Sequence, residues 1–236
     1  MLHTISPVVY LLPIVVLSFY YLYRKKKQYR IRQWRKALNI EPHARIFHQL
    51  YENTNGFMLS QQARQRHDAL DYVYGEIEFV SFLALLSLTK LDENTVFYDL
   101  GCGTGKAVLA CAMVFPIHKG IGVEILPELY LSACTQAEQL AMVAPYNELT
   151  KKIAFILGDF LDIALDEATL IFINATSLFN PTWENLCLRL EHLPHLTTVI
   201  TTSKSLPSKE FVVETCTPVE MSWGVVQAYI HQRKKQ

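Results

Sequence analysis

The sequence predicts an α/β protein with a Rossmann-like, doubly wound sheet of seven strands, mostly parallel with an antiparallel C-terminal hairpin, behind an N-terminal transmembrane helix. Three observations support this prediction: short apolar runs alternate with helical patterns, a glycine-rich turn follows the first strand-like run, and nineteen uncharged residues lie near the N-terminus. Strands separated by helices imply a parallel sheet covered on both faces. The length of 236 residues suits one substantial domain with an appendage.

The uncharged stretch runs from Ile5 to Tyr23 and, as a helix, is long enough to cross roughly 30 Å of hydrocarbon. A cleaved signal peptide and a buried helix of a soluble protein are the alternatives. The basic cluster follows the apolar stretch instead of preceding it, and no small-residue cleavage site stands before Arg24, which favours an uncleaved anchor. Residues 1–23 are therefore predicted to form a transmembrane anchor.

Residues 24–36 hold eight lysines and arginines and no acid. Positive charge resists translocation, so this basic juxtamembrane segment predicts a single-pass membrane protein with its folded domain in the cytoplasm. Basic residues beside a membrane also attract anionic lipid, by about 1 kcal/mol each. Membrane lipid is accordingly a predicted partner, and the aromatic side chains of Tyr29 and Trp34 fit the interface.

The rest of the chain, from Ala37 onward, has 14 basic and 22 acidic residues, a net charge of −8. Such a body is poorly suited to gripping a phosphate backbone, so nucleic acid is not expected as a direct partner. The five cysteines are widely spaced and form no CxxC pair, so neither a disulfide framework nor a metal site is expected. His192 and His195 lack companion ligands and are predicted to lie in a surface turn.

The elements of the body follow in a regular order. Residues 37–73 are predicted to be a helical connector, and residues 74–236 the main domain, whose last two strands are joined by a short turn as an antiparallel hairpin. The predicted strands are 96–100, 120–124, 153–157, 170–173, 197–202, 211–216 and 225–230, and the predicted helices are 107–115, 126–143 and 181–190.

A GxGxG loop, Gly101, Gly103 and Gly105, lies between the first strand of the main domain and the following helix, directly after Asp99. Glycines here permit positive φ and let a ligand approach the backbone. The loop lacks the GxxxxGK[ST] pattern, and Lys106 stands where the dinucleotide fingerprint needs glycine. It therefore predicts a ligand loop of a different kind, with a turn that merely packs as the alternative.

Two carboxylates follow at the ends of the next strands. Glu124 ends the second strand, where a carboxylate accepts hydrogen bonds from ribose hydroxyls. After the third strand, Asp159 offers an acceptor for an exocyclic amine and Phe160 an aromatic wall for a base. This combination suits S-adenosylmethionine, whose methionine part is a zwitterion instead of a pyrophosphate, and S-adenosylmethionine is the predicted cofactor.

Residues 74–204 resemble the seven-stranded class I S-adenosylmethionine-dependent methyltransferases. The resemblance rests on DLGCGTGKAVL, GIGVE and GDF, which occur in that order. Within this class the chain is most similar to the non-SET histone lysine methyltransferases, the disruptor-of-telomeric-silencing family. The motifs that indicate this family are Tyr74-Gly75-Glu76, GDFL at 158–161, IFIN at 171–174 and Ser203-Lys204.

The resemblance implies that Tyr74 and Glu76 belong to a loop covering the methionine end of the cofactor. It also implies that Asn174 lies at the methyl-transfer site, with Tyr74 beside it as a second catalytic candidate, and that the substrate is a protein with an accessible lysine, possibly histone-like. Asn174, Phe179 and Tyr74 could line a channel for such a lysine. A capping role at the end of the fourth strand is the alternative for Asn174.

This chain departs from the family pattern near the expected acceptor pocket. Ala175 replaces a second asparagine, the segment to Phe179 is one residue longer, and Ser205-Leu206 replaces a Pro-Phe pair. Two other functions therefore stay open: methylation of a lipid, quinone or other small molecule, and a non-catalytic S-adenosylmethionine-binding module. The intact glycines and carboxylates argue against the latter, and a membrane-anchored protein lysine N-methyltransferase is the favoured prediction.

Overall fold

The computed structural model describes residues 8–65 and 74–235, with side chains from residue 16 onward. The chain divides into two compact units, Met1–Pro42 and His43–Gln236. The second unit begins inside the segment that the sequence predicted as a connector.

The first unit contains one long helix, α1 (Val8–Ala37). Large apolar and aromatic side chains along it are exposed, among them Leu17, Phe19 and Tyr23. The predicted transmembrane anchor, residues 1–23, begins outside the described residues. Within the described part of the chain, no helix is long and apolar enough to cross a membrane, so the transmembrane part of the predicted fold is not supported.

The second unit is built on one seven-stranded sheet, in the order β3-β2-β1-β4-β5-β7-β6. The first five strands pair in parallel, and β7 pairs antiparallel with both β5 and β6. This confirms the predicted mixed sheet with a C-terminal hairpin. The strands are β1 (Val96–Leu100), β2 (Lys119–Glu124), β3 (Ile153–Leu157), β4 (Leu170–Asn174), β5 (Thr198–Thr202), β6 (Phe211–Met221) and β7 (Gly224–Arg233).

Helices flank this sheet. The helix α3 (Gly56–Arg64) packs on the start of α6 (Pro127–Ala141) through Ala63, Leu126 and Leu129, so part of the predicted connector is integral to the second unit. The helix α4 packs its Phe82 ring against Phe172 of β4 at a centroid distance of 5.0 Å. The helices are α2 (Ile40–Tyr51), α3 (Gly56–Arg64), α4 (Phe79–Leu86), α5 (Lys106–Val114), α6 (Pro127–Ala141) and α7 (Thr182–Glu191).

The strand order changes direction at β1, an interior strand of the sheet. Every residue of β1 is buried, as expected for a strand covered on both faces. The chain moves outward from β1 to β2 and β3, then crosses back to place β4 on the other side of β1. In open α/β sheets, ligands bind in the crevice at the carboxyl ends of the strands beside such a switch point.

Candidate functional site

A cavity of about 230 Å³ lies at this crevice, beside the carboxyl ends of β1, β2 and β4. The predicted cofactor-binding and catalytic residues all line it except Gly105. The predicted residues that line it are Tyr74, Glu76, Asp99, Gly101, Gly103, Glu124, Asp159, Phe160 and Asn174.

The three loop glycines all have positive φ, but their surroundings differ. A Cβ on Gly101 would meet nothing within 4 Å, so this position opens toward free space. A Cβ on Gly103 would lie 2.8 Å from Cε2 of Tyr74, and one on Gly105 would lie 2.6 Å from the Phe155 ring. Gly101 thus borders open space, whereas Gly103 and Gly105 permit close packing against Tyr74 and Phe155.

Glu124 ends β2 and is 6% exposed. Its Oε2 accepts a hydrogen bond from the Gly103 N–H at 2.8 Å, and its Oε1 accepts one from the Leu126 N–H at 2.9 Å. Burial raises the pKa of Glu124, and the backbone N–H donors oppose that rise. The carboxylate therefore holds the glycine loop in place through these bonds and also lines the cavity.

Asp99 lies one residue before the end of β1 and is 3% exposed. Burial, together with the charge of Glu124, raises the pKa of Asp99 to about 8. Two buried carboxyl groups at one cavity favour a cationic ligand, because a positive charge stabilises the ionised form of both.

Glu76 is the centre of a polar cluster. Its Oε1 accepts hydrogen bonds from the Tyr74 hydroxyl and, at 2.9 Å, from the Thr104 hydroxyl, and its Oε2 pairs with the Lys106 ammonium. The Lys106 Nζ also lies 5.0 Å from the ring centroid of Tyr51, whose hydroxyl donates to the Thr104 carbonyl at 3.0 Å. Burial and the Glu76 charge raise the pKa of Tyr74, which keeps its hydroxyl protonated as a donor.

Sequence reasoning missed three members of this cluster: Tyr51, Thr104 and Lys106. Thr104 and Lys106 belong to the glycine-loop motif, so the sequence did indicate that they lie near the cavity. Tyr51 lies in the predicted helical connector, and nothing in the sequence indicates that α2 reaches this loop.

The segment carrying Glu76 is fixed by the tip of the C-terminal hairpin. Ile77 bridges Met221, and the Ser222 N–H donates to the Glu76 carbonyl at 2.8 Å. The Trp223 ring occupies the place where a side chain on Gly75 would stand, since a Cβ there would lie 1.7 Å from the ring. Trp223 is therefore a further residue that sequence reasoning missed.

Asp159 and Phe160 form another wall. Asp159 Oδ1 accepts a hydrogen bond from the Leu161 N–H at 2.8 Å, and the preceding Gly158 N–H donates to the Glu124 carbonyl at 2.9 Å. The Phe160 carbonyl accepts a bond from Arg189 Nη1 of α7 at 2.6 Å. These bonds hold the turn after β3 against both β2 and α7.

Asn174 ends β4 and lines the cavity together with Ser177 and Leu178. The segment 174–179 is fastened to the turn after β5, because the Thr176 and Ser203 hydroxyls lie 2.8 Å apart and the Lys204 ammonium donates to the Leu178 carbonyl. Phe179 is half exposed, with the Lys204 Nζ 4.6 Å from its ring centroid. Of the three residues suggested for a lysine channel, Asn174 and Tyr74 line this cavity and Phe179 does not.

The described residues place no group of three or more His, Cys, Asp or Glu side chains where they could hold a metal ion. The cavity instead offers an ammonium and several carboxyl groups, which match a zwitterionic amino acid, and a buried carboxylate at the end of β2 for a ribose. The fold and this donor set define a class I S-adenosylmethionine-dependent methyltransferase.

Residues 59–225 match the family model of the histone methylation protein DOT1, which covers more than half of the chain. The chain belongs to this family. Membership confirms the resemblance seen in the sequence, and it confirms S-adenosylmethionine as the cofactor.

A curated relative from Saccharolobus islandicus, a protein-lysine N-methyltransferase, is 30% identical over 87 residues. That match covers 37% of this chain and half the length of the relative. A solved structure of a candidate RNA methyltransferase from Pyrococcus horikoshii is 15% identical, covers 77% of this chain and 99% of its own, and superposes with a TM-score of 0.52. At that identity the likeness concerns the fold alone.

Proposed function

We propose that this protein transfers a methyl group from S-adenosylmethionine to the side-chain amine of lysine in a protein. One observation carries the proposal: the predicted cofactor residues and the segment 174–179, named here the acceptor segment, line the same cavity. The acceptor segment contributes Asn174, Ser177 and Leu178. The cofactor, when bound, supplies a methyl group on a positively charged sulfur. The protein has to hold both partners and exclude water from between them.

Different residues of the cavity bind different parts of the cofactor. Glu124 binds the ribose hydroxyls, and Asp159 accepts a hydrogen bond from the adenine amine beside the wall formed by Phe160. The Lys106 ammonium binds the methionine carboxylate, while Glu76 and Asp99 balance the positive charge. Tyr74 closes this side of the cavity, with its hydroxyl on Glu76.

A lysine acceptor must be neutral to act as a nucleophile. Apolar surface disfavours an ammonium ion and so promotes the loss of its proton. The cavity supplies such surface from Ile77, Phe172 and Leu178. The family and the lysine-specific relative support lysine as the acceptor, and the acidic body, with its charge of −8, favours a basic substrate segment.

The decisive experiment incubates the full chain with radiolabelled S-adenosylmethionine and a cell lysate, then separates protein from lipid and hydrolyses the protein. We expect label in the protein fraction, recovered as methyl-lysine. Gly103→Leu is the matched inactive control, since a Cβ on this residue, whose φ is 56°, would lie 2.8 Å from the Tyr74 ring beside the cavity. Label in lipid or small molecules would instead identify a non-protein acceptor, and no label from folded, cofactor-binding protein would indicate a non-catalytic module.

We also propose that residues 1–36 hold the enzyme at a membrane with its domain in the cytoplasm. The uncharged stretch, the eight basic residues behind it and the exposed aromatic side chains of α1 support this. Carbonate extraction of cell membranes should leave the full chain in the pellet. Recovery in the supernatant would contradict anchoring, and digestion of the domain by protease added outside intact cells would contradict the orientation.

A further inference from the structure

The side-chain oxygen of Asn174 is fully used by the protein itself, and so is one of the two N–H groups of its amide. Its Nδ2 donates to the Gly75 carbonyl at 2.9 Å. Its Oδ1 accepts hydrogen bonds from the hydroxyls of Thr176 and Thr202, both at 2.8 Å, and a longer one from the Thr176 N–H at 3.4 Å. A carbonyl oxygen has two lone pairs, so the two hydroxyl donors already occupy the acceptor capacity of Oδ1.

The surrounding groups also fix the orientation of this amide. Turning it over would place Oδ1 against the Gly75 carbonyl oxygen, where two acceptors repel, and would set an NH₂ group against the two hydroxyls. The Ser203 hydroxyl supports the observed arrangement, because it can donate to Thr176 Oγ1 while the Thr176 proton points to Asn174. The geometry therefore leaves Oδ1 directed at the protein.

We propose that Asn174 is a positioning residue, which holds the segment of Tyr74 and Glu76 against the end of β4, and that it does not bind the acceptor amine. Its amide forms hydrogen bonds with Gly75, which lies beside the polar cluster of Glu76, with Thr176 of the acceptor segment, and with Thr202 at the end of β5. This inference rests on the proposed function for the identity of the acceptor. The contacts themselves do not depend on it.

The two roles make different predictions for cofactor affinity. A residue that binds only the acceptor amine can be removed without changing the affinity for S-adenosylhomocysteine. A residue that holds Gly75 in place cannot, because Tyr74 and Glu76 flank Gly75 and line the cofactor cavity. Turnover should then fall through misplacement of the cofactor, while the acceptor KM stays nearly constant.

The test compares Asn174→Ala and Asn174→Asp in the full chain. The aspartate keeps an oxygen for Thr176 and Thr202 but places a second oxygen opposite the Gly75 carbonyl. For both variants we expect the Kd of S-adenosylhomocysteine, measured by titration calorimetry, to rise about tenfold, roughly the loss of one well-placed hydrogen bond. The acceptor KM should stay within about twofold of the parent. A cofactor Kd unchanged within about twofold in Asn174→Ala, or a raised acceptor KM, would overturn the proposal.

Two controls separate positioning from general destabilisation. Thr202→Val removes one donor to Oδ1 but leaves the bond to Gly75, so it should raise the Kd of S-adenosylhomocysteine less than Asn174→Ala does. The double variant Asn174→Ala/Thr202→Val should have the same Kd as Asn174→Ala alone. Leu190→Ala, a fully buried core change in α7, should lower the melting temperature without changing the Kd. Equal losses of affinity in Leu190→Ala would contradict the proposal. Because S-adenosylhomocysteine binding needs no acceptor, the outcome stays decisive even if no lysine is methylated.

Discussion

At the scale of single residues, Glu124 serves both the loop and the ligand. Each of its carboxylate oxygens accepts one backbone N–H, from Gly103 and from Leu126. A carboxylate has about four lone-pair sites, so each oxygen keeps capacity for a ribose hydroxyl. Glutamine would not replace it well, because its NH₂ group would face a backbone N–H.

We therefore expect Glu124→Ala to weaken binding of S-adenosylhomocysteine by about 1 to 3 kcal/mol, through the loss of charge-assisted hydrogen bonds and of support for the loop. Titration calorimetry measures the change. Glu138→Ala, an exposed carboxylate on α6, should leave the affinity unchanged. Equal affinity of the Glu124 variant and the parent would show that Glu124 is not the ribose acid.

Asp99 predicts a pH dependence. Its pKa of about 8 lies above the ordinary 3.8, so between these values the folded, cofactor-free protein holds an extra proton relative to the unfolded chain. The stability that the folded protein gains from this extra proton is fully present below pH 3.8 and is lost as the pH rises through about 8. A cationic ligand favours the carboxylate, so binding below pH 8 must release a proton.

The affinity for S-adenosylmethionine should accordingly rise between pH 6 and 8, by up to about tenfold per pH unit, and level off above 8. Asp99→Asn should bind more weakly and without this slope. Calorimetry in two buffers of different ionisation enthalpy measures the released proton directly. An equally steep slope in Asp99→Asn would assign the proton to another group.

At the scale of elements, the C-terminal hairpin supports the cofactor site although none of its residues lines the cavity. The Ser222 N–H and the bridge from Ile77 to Met221 fix the segment of Glu76 on the hairpin tip. Trp223 covers Gly75 so closely that only glycine fits beneath its ring.

Gly75→Ala should therefore displace the Trp223 ring, destabilise the domain by about 1 to 3 kcal/mol and weaken cofactor binding. Removing the ring should make room for the methyl group. We expect the double variant Gly75→Ala/Trp223→Ala to lose less than the sum of the two single losses, by thermal unfolding and by calorimetry. Additive losses would show that the ring and the glycine act independently.

At the scale of the whole molecule, the positive charge is concentrated in a short segment near the N-terminus, and the rest of the chain is acidic. Residues 24–36 carry eight positive charges, and the chain from residue 37 onward carries −8. Long-range attraction should bring basic polypeptides to this body and disfavour DNA, whose binding depends on neutralising phosphates.

The chain should thus methylate free histone faster than intact nucleosomes, in which the same lysines stand beside DNA. Side-by-side assays with radiolabelled S-adenosylmethionine at two salt concentrations measure this preference, which should shrink at high salt. Faster methylation of nucleosomes than of free histones would contradict the argument from charge.

The sequence by itself determined the sheet and most of the cavity wall. Strands β1 and β3 occupy the predicted ranges 96–100 and 153–157, because a short apolar run ending in glycine has few other folded forms. Helix α4 was not predicted, since the stretch from Phe79 to Leu86 is apolar at every position except Ser81 and so shows no helical periodicity. The hairpin strands extend beyond their predicted ends, to Met221 and Arg233, because the added residues 217–221 and 231–233 include Pro218 and a polar run and so lack a strand-like apolar pattern.

Only the tertiary structure decided which distant residues support the site. Tyr51 bonds Thr104 of the glycine loop, Trp223 covers Gly75, and Thr202 bonds Asn174. No local pattern in the sequence indicates these contacts. The sequence identified Asn174 as a residue of the site, but two of the residues that bond its amide, Gly75 and Thr202, come from distant segments. Local patterns report which face of an element is apolar, whereas the hydrogen-bond partners of a buried polar group depend on how distant elements pack.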